Sequence, residues 1–407
     1  MSTLNLNLNH STIDLSSPEF KEKIEKIKRT PVPNFAKYSP DLEEIKKLKE
    51  KYKDKKNIIV EGNGGSISNF RGIFQALGDK ENKNVFILDT EDPDYVKYLK
   101  NKCPKEDTLV ILTSKSGTRI QVLANYFSFQ DYPILTITQD NDGALNQIRK
   151  IKNLDVSFHP EIGGRFSGLT ECALTPAEIV GIDTEEIIKG GKEMYEASRI
   201  LEAGLPIESP ASKMLQLALA LDKLEKVGYI EIFLSIYSKK LSGFFELIKQ
   251  LFHESVCKNE LGQTIYGGEA PENQHHTLQR FISGRKNTLG FFITVKDSTC
   301  KNNLKFEVEK NLKNIKCRNI TLENLNNISL DKTIRAEFQG TWQDVIDNNI
   351  PAIHLELEEI SPYAIGQFMA FFQYTAFYSA LLRGVNPCDQ PGVEKSKENI
   401  FGIIKKY

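Results

Sequence analysis

Short apolar runs alternate with longer amphipathic stretches along most of this chain. Asn57–Glu61, Asn84–Asp89, Thr108–Thr113 and Tyr132–Gln139 are runs of five to eight residues rich in Val and Ile, which predicts strands. Between them apolar residues recur at helical spacing. In Pro40–Lys55, Leu42, Ile45 and Leu48 stand three apart among charged residues, the pattern of an amphipathic helix. This β-α-β-α rhythm predicts a parallel sheet with helices on both faces. Gly228–Ser238, Thr288–Lys296 and Pro351–Ile360 continue the style in the second half, with no recognisable sequence repeat. Leu241–Lys258 and Ser361–Arg383 read as helices, and Gln390–Tyr407 as a last helix after the Asn386-Pro387 break. A Gly-rich turn at Gly163–Gly164 and a segment at Glu202–Ser209 mark the passage to the second half.

The expected organisation is a polar lead segment (1–40), a first domain (41–200), a second (201–385) and a C-terminal arm (386–407). The fold class is α/β, with two doubly wound parallel-sheet domains and a helical arm. A length of 407 residues agrees, because a single hydrophobic core would be stretched by it.

Composition narrows the function. Lys and Arg number 53 against 54 acidic residues, a formal net charge of −1, so nothing favours nucleic acid or an anionic membrane surface. Any attraction for an anionic substrate must be local. The six cysteines are scattered without a C-x-x-C pair, which argues against a disulfide framework or zinc ribbon and for a reducing compartment. With six histidines and no H-x-H or H-E-x-x-H, neither a metal centre nor a cofactor is expected. Met1–Asp14 is polar, and no segment approaches ~18 uninterrupted apolar residues, so a cytoplasmic protein is the expectation.

The candidate chemistry lies at strand ends. Thr108–Thr113 runs into Ser114-Lys115-Ser116-Gly117-Thr118, and a helical pattern follows at once. Hydroxyls, one ammonium and a glycine at a helix N-terminus suit an anion, although an ordinary capped loop fits the same residues. Gly62-Asn63-Gly64-Gly65-Ser66 follows Asn57–Glu61 in the same way. It is no dinucleotide fingerprint, since the third glycine of G-x-G-x-x-G would fall on Ile67. Two such loops on one sheet favour a phosphorylated ligand. Gly163-Gly164-Arg165-Phe166-Ser167 places an arginine after two glycines, either to hold charge developing on oxygen or as a solvated turn. On Leu241–Lys258 the apolar stripe is Phe244, Leu247, Ile248 and Leu251, and Gln250 and Glu254 share one margin of it. A carboxylate there is a general-base candidate, and a solvated helix edge is the alternative. In the last helix Lys397 falls among Val393, Ile400 and Ile404, where a lysine either snorkels or meets a functional partner.

Taken in order, these pieces resemble the phosphoglucose isomerase family in its compact archaeal and bacterial form, built from two sugar-isomerase (SIS) domains. The resemblance runs from Asn57 to Lys397 through GNGGS (Gly62–Ser66), SKSGT (Ser114–Thr118), GGRFS (Gly163–Ser167), Q-x-x-x-E-S (Gln250–Ser255), GE…NQH (Gly268–His275) and NPCDQPGVEKSK (Asn386–Lys397). It implies interconversion of glucose 6-phosphate and fructose 6-phosphate without metal or cofactor. Ser114, Lys115, Ser116 and Thr118 would hold the phosphate, with Gly65, Ser66 and Arg119 nearby. Arg165 would steady an enediolate and Glu254 would carry the proton between C1 and C2. His275 and Lys397 would open the sugar ring, and Gln250 and Gln390 would line the pocket. The resemblance also implies a homodimer in which His275 completes the neighbour's site. Three positions depart from the family pattern: Arg119 stands for a hydroxyl, Gln121 for an acid and Cys257 for a glycine. A dual phosphoglucose/phosphomannose isomerase and a non-catalytic sugar-phosphate-binding SIS protein are the rival readings. Retention of Glu254, Arg165, His275 and Lys397 together speaks against the second.

Overall fold

The structure is a computed structural model that describes residues 3–9, 18–78, 83–198, 209–297 and 304–407. Within these, the strands in chain order are β1 (Leu4–Asn9), β2 (Asn57–Glu61), β3 (Asn84–Leu88), β4 (Thr108–Thr113), β5 (Ile134–Thr138), β6 (Asp155–Phe158), β7 (Glu231–Ile236), β8 (Thr264–Glu269), β9 (Thr288–Val295), β10 (Lys316–Cys317), β11 (Ile320–Thr321) and β12 (Ala352–Leu357).

The first sheet has the order β3-β2-β4-β5-β6, and every neighbouring pair is parallel. β2, β4 and β5 are buried at every residue, because helices cover both faces of the sheet. Strand order reverses between β2 and β4, and ligands of open α/β sheets bind at the carboxyl ends beside such a point. Gly62–Ser66 and Ser114–Thr118 leave the sheet there. The second sheet has the order β1-β12-β9-β7-β8, parallel except that β1 runs antiparallel to β12. β10 and β11 form a separate two-stranded hairpin.

Helix Pro362–Leu382 is apolar all round and buried along most of its length, as a helix without a wet face must be. It packs on helices Thr184–Ala197, Pro210–Lys226 and Phe245–Ser255. Its approach to the first of these depends on small residues: a Cβ on Gly366 would lie 1.9 Å from the Ile187 carbonyl oxygen. Phe35 stacks on Phe166 at 4.7 Å between ring centroids and meets Tyr374 edge-on, which ties the residue after Arg165 to this core.

Three segments differ from the sequence expectation. Leu4–Asn9, within the lead segment, is an edge strand with Leu4 buried opposite Leu357; its alternating Leu and Asn are a period-two signal that the Asn-rich composition masks. Asp155–Phe158 adds the fifth strand of the first sheet. Leu261–Glu272, where the sequence pattern predicts no strand, contains β8. Its glycines hide the strand, yet Gly267, at φ 123°, lies so close to β7 that a Cβ would be 2.1 Å from the Leu234 carbonyl oxygen. Of the passage expected at Glu202–Ser209, only Ser209 lies within the described residues, as the N-cap of Pro210–Lys226.

Candidate active site

Two helices begin at the switch point of the first sheet. Gly64 caps Gly65–Leu77 and Arg119 caps Ile120–Phe129, and neither supplies a side-chain hydrogen bond to its helix. Asp41, Thr170, Asp183 and Ser361 do cap theirs. Two neighbouring helix N-termini thus present backbone N–H groups without a side-chain acceptor, which is what an anion needs.

The loop before the second helix is preorganised. Ser114 is buried, and its Oγ accepts the Gly117 N–H at 3.2 Å, with Gly117 in the left-handed region at φ 68°. Ser116 and Thr118 join their hydroxyls at 2.9 Å. The Lys115 ammonium pairs with Glu161, an exposed carboxylate. Arg119 bridges the two loops, its Nη1 donating to the Asn63 carbonyl at 3.0 Å.

The Gly62–Ser66 loop lies against Gly163–Ser167. A Cβ on Gly65 would sit 2.1 Å from the Gly164 carbonyl carbon, so only glycine allows this approach. Asn69 Nδ2 clasps the two loops by donating to the carbonyls of Gly65 and Gly164, at 2.6 and 2.9 Å.

The guanidinium of Arg165 is buried and makes four hydrogen bonds. Its Nε donates to Ser255 Oγ at 2.8 Å, Nη1 to Glu254 Oε2 at 2.9 Å, and Nη2 to the carbonyls of Pro387 and Asp389 at 2.6 and 3.0 Å. Burial lowers its pKa and Glu254 opposes the shift. The other oxygen of Glu254 accepts Gln250 Nε2 at 2.8 Å, and Gln250 Oε1 in turn accepts from Ser68 Oγ at 3.1 Å. Helix Phe245–Ser255 produces this because Leu247, Ile248 and Leu251 are buried while Gln250 and Glu254 share the margin. Glu254 is therefore oriented through both oxygens and still lines a cleft of about 560 Å³ with Asn63, Gly64, Ser68 and Gln250. A second cleft of similar volume, beside Tyr237–Lys240, contains none of the expected site residues.

Gly65, Ser66, Arg119, Arg165, Gln250 and Glu254 thus come together, with Ser114–Thr118 joined to them through Arg119. Gln390 is half-buried and follows Asp389, whose carbonyl holds Arg165. His275 and Lys397 are not gathered in: both are exposed, and neither bonds Glu254, Arg165 or Gln250. Lys397 pairs with Glu394 on its own helix, and its neighbours Val393, Ile400 and Ile404 are exposed rather than packed.

Sequence reasoning missed Asn69, Ser255 and Lys258 as working parts. Lys258 reaches the Asp389 carboxylate at 2.8 Å and the Asn386 carbonyl, fixing the backbone that holds Arg165. Its position three residues after Ser255 is ordinary helix-end sequence, so only the tertiary contact reveals it. Cys257, the departure from a family glycine, is not among the residues with positive φ, so the backbone there needs no glycine.

The phosphoglucose isomerase family profile matches residues 46–406. The chain is 26% identical to the glucose-6-phosphate isomerase of Methanocaldococcus jannaschii, over 91% of this chain and 88% of that one. It is 28% identical to that of Acholeplasma laidlawii, over 90% and 87%. Solved structures that share its fold include a hypothetical protein from Thermus thermophilus (TM-score 0.83, 22% identity, 95% and 94% covered) and a glucose-6-phosphate isomerase from Chlamydia trachomatis (0.73, 20%, 98% and 81%). With the family profile spanning residues 46–406, the chain belongs to the phosphoglucose isomerase family.

Proposed function

We infer that this protein interconverts glucose 6-phosphate and fructose 6-phosphate, with Glu254 as the base that carries the proton. The observation that carries this reading is Glu254 held between Arg165 and Gln250, beside two uncapped helix N-termini. The substrate phosphate docks on Ser114–Thr118 and Gly65–Ser66, and its binding energy orients the reacting carbons. Glu254 takes the proton from C2 of the aldose and returns it to C1, while a proton moves from the O2 side to the O1 side. Arg165 faces the developing oxyanion, and one such preorganised donor lowers a barrier by roughly 3 kcal/mol.

His275 and Lys397 serve ring opening, with His275 acting in the neighbouring subunit of a homodimer. Support comes from the exposure of His275 and from the C-terminal helix Glu394–Ile404, whose Ile400, Phe401, Ile403 and Ile404 lie open, as does Val393 at its N-cap. Such an apolar face suits burial against a second copy. A coupled assay of fructose 6-phosphate conversion, run beside mannose 6-phosphate, tests the function. Conversion of fructose 6-phosphate alone supports it, equal use of both identifies a dual enzyme, and no conversion by folded protein overturns it.

A further inference from the structure

Glu61, the last residue of β2, is a buried carboxyl for which the isomerase mechanism has no use. It lies on the face of the sheet that carries Ile59, under helix Ile120–Phe129. That helix starts where the phosphate loop ends. Asn125 on it donates to Glu61 Oε1 at 3.4 Å and to the Thr90 carbonyl at 3.2 Å. Glu61 Oε2 accepts no side-chain hydrogen bond, and the nearby Thr113 backbone N–H favours the anion. Other buried side-chain polar atoms without a hydrogen-bond partner, among the described residues, include Asn63 Nδ2, Thr113 Oγ1, Gln121 Nε2, Thr138 Oγ1 and His159 Nε2. These lie at the carboxyl ends of the first sheet's strands or in the first turn of the helix above. A proton on Glu61 thus sits beneath the floor of the anion cradle.

We propose that Glu61 is a proton-linked brake on that cradle: its carboxyl is protonated when a dianionic phosphate binds at full affinity, and its ionisation weakens binding without slowing turnover. This rests on the reading of Ser114–Thr118 and Gly65–Ser66 as the phosphate site. Every charged group around Glu61 bears on the balance. Arg119, at the helix cap, favours its anion, and Glu91 after β3 opposes it. Asp89 is paired with Arg71, and Lys115 with Glu161. Burial is the largest influence and pushes the Glu61 carboxyl up to about 8. A dianion arriving above would hold the proton more firmly, so binding near that pH takes up a proton and affinity falls as the pH rises past it.

Sorbitol 6-phosphate, which cannot isomerise and is dianionic above pH ~7, is the probe. Calorimetric titration of the whole protein at pH 8.5, in two buffers of different ionisation enthalpy, is expected to show uptake of a fraction of a proton per site. The dissociation constant should weaken about tenfold between pH 7 and 9.5, the effect of one pKa unit of coupling. In Glu61→Gln, neutral and of the same shape, it should be flat over that range, with KM following the same pattern and kcat unchanged. If wild type binds with no proton uptake, or Glu61→Gln keeps the wild-type pH dependence, the proposal is wrong while the phosphate site stands. Where Glu61→Gln does not fold, the wild-type proton uptake decides. Failure of the polyol phosphate to bind at pH 7 would overturn the phosphate site and the proposal with it.

Discussion

At the level of single residues, the site is held by hydrogen bonds that lysine or alanine cannot reproduce. Arg165 spans Ser255, Glu254 and two carbonyls from one planar fork. A lysine has three donors on one nitrogen and cannot reach all four partners. Arg165→Lys should lower kcat about a hundredfold or more, with a smaller change in KM, in a steady-state assay of fructose 6-phosphate. Lys115 pairs only with exposed Glu161 and can turn to a phosphate, so Lys115→Ala should raise KM about tenfold, the scale of one charged hydrogen bond. Unphosphorylated fructose competing as well as its phosphate would contradict that role. Glu254 was legible in the sequence because the stripe on its helix leaves it at the margin. Asn69, Ser255 and Lys258 were not, since their partners are nearby only in space.

Among the elements, strands with continuous apolar runs were legible and strands with unusual composition were not. β2, β4 and β9 read directly from their Val, Ile and Phe. β8 ends in Gly267-Gly268-Glu269, residues that signal a turn in isolation but here permit close strand pairing. The loops of the site depend on the same device. Gly65→Ala would drive a methyl into the Gly164 carbonyl, so it should cost about 1–3 kcal/mol, read from the urea midpoint, and abolish activity at the same time. Retained stability together with wild-type turnover would show that the two loops need not touch.

For the whole molecule, buried ionisable groups set a stability profile. Burial holds His159 and His354 down to about 4, so each stays neutral in the fold while the unfolded chain takes up a proton below ~6.5. Their contribution is present above that pH and is lost as the pH falls toward 4; His253, also lowered by burial, adds to the loss. Glu61 acts in the opposite sense. Its carboxyl is raised to about 8, the unfolded state ionises above ~4.5, and stability is lost as the pH rises from there to 8. Two histidines outweigh one glutamate on the acid side, and Glu61 acts alone on the other. The urea midpoint at fixed protein concentration should therefore peak near pH ~6.5, and folding free energy should fall by about 1.4 kcal/mol per pH unit on either side. Glu61→Gln should remove the alkaline fall, and a monotonic rise from pH 5 to 8 in wild type would contradict the assignment. The two-sheet plan was legible from the alternation of runs, whereas the placement of His275 and Lys397 away from Glu254 was not, because motif order carries no distances. If they serve a neighbour's site, His275→Ala and Glu254→Gln dimers, each nearly inactive, should regain roughly a quarter of wild-type activity after subunit exchange.

The base assignment is tested most directly by comparing wild type with Glu254→Gln, first in fructose 6-phosphate conversion and then in binding of sorbitol 6-phosphate. Gln keeps the side chain's shape and its place between Arg165 and Gln250 but cannot accept the substrate proton. Turnover should drop by several orders of magnitude while the polyol phosphate binds nearly as before. Near-normal turnover in a folded Glu254→Gln protein would contradict Glu254 as the base that moves the proton between C1 and C2.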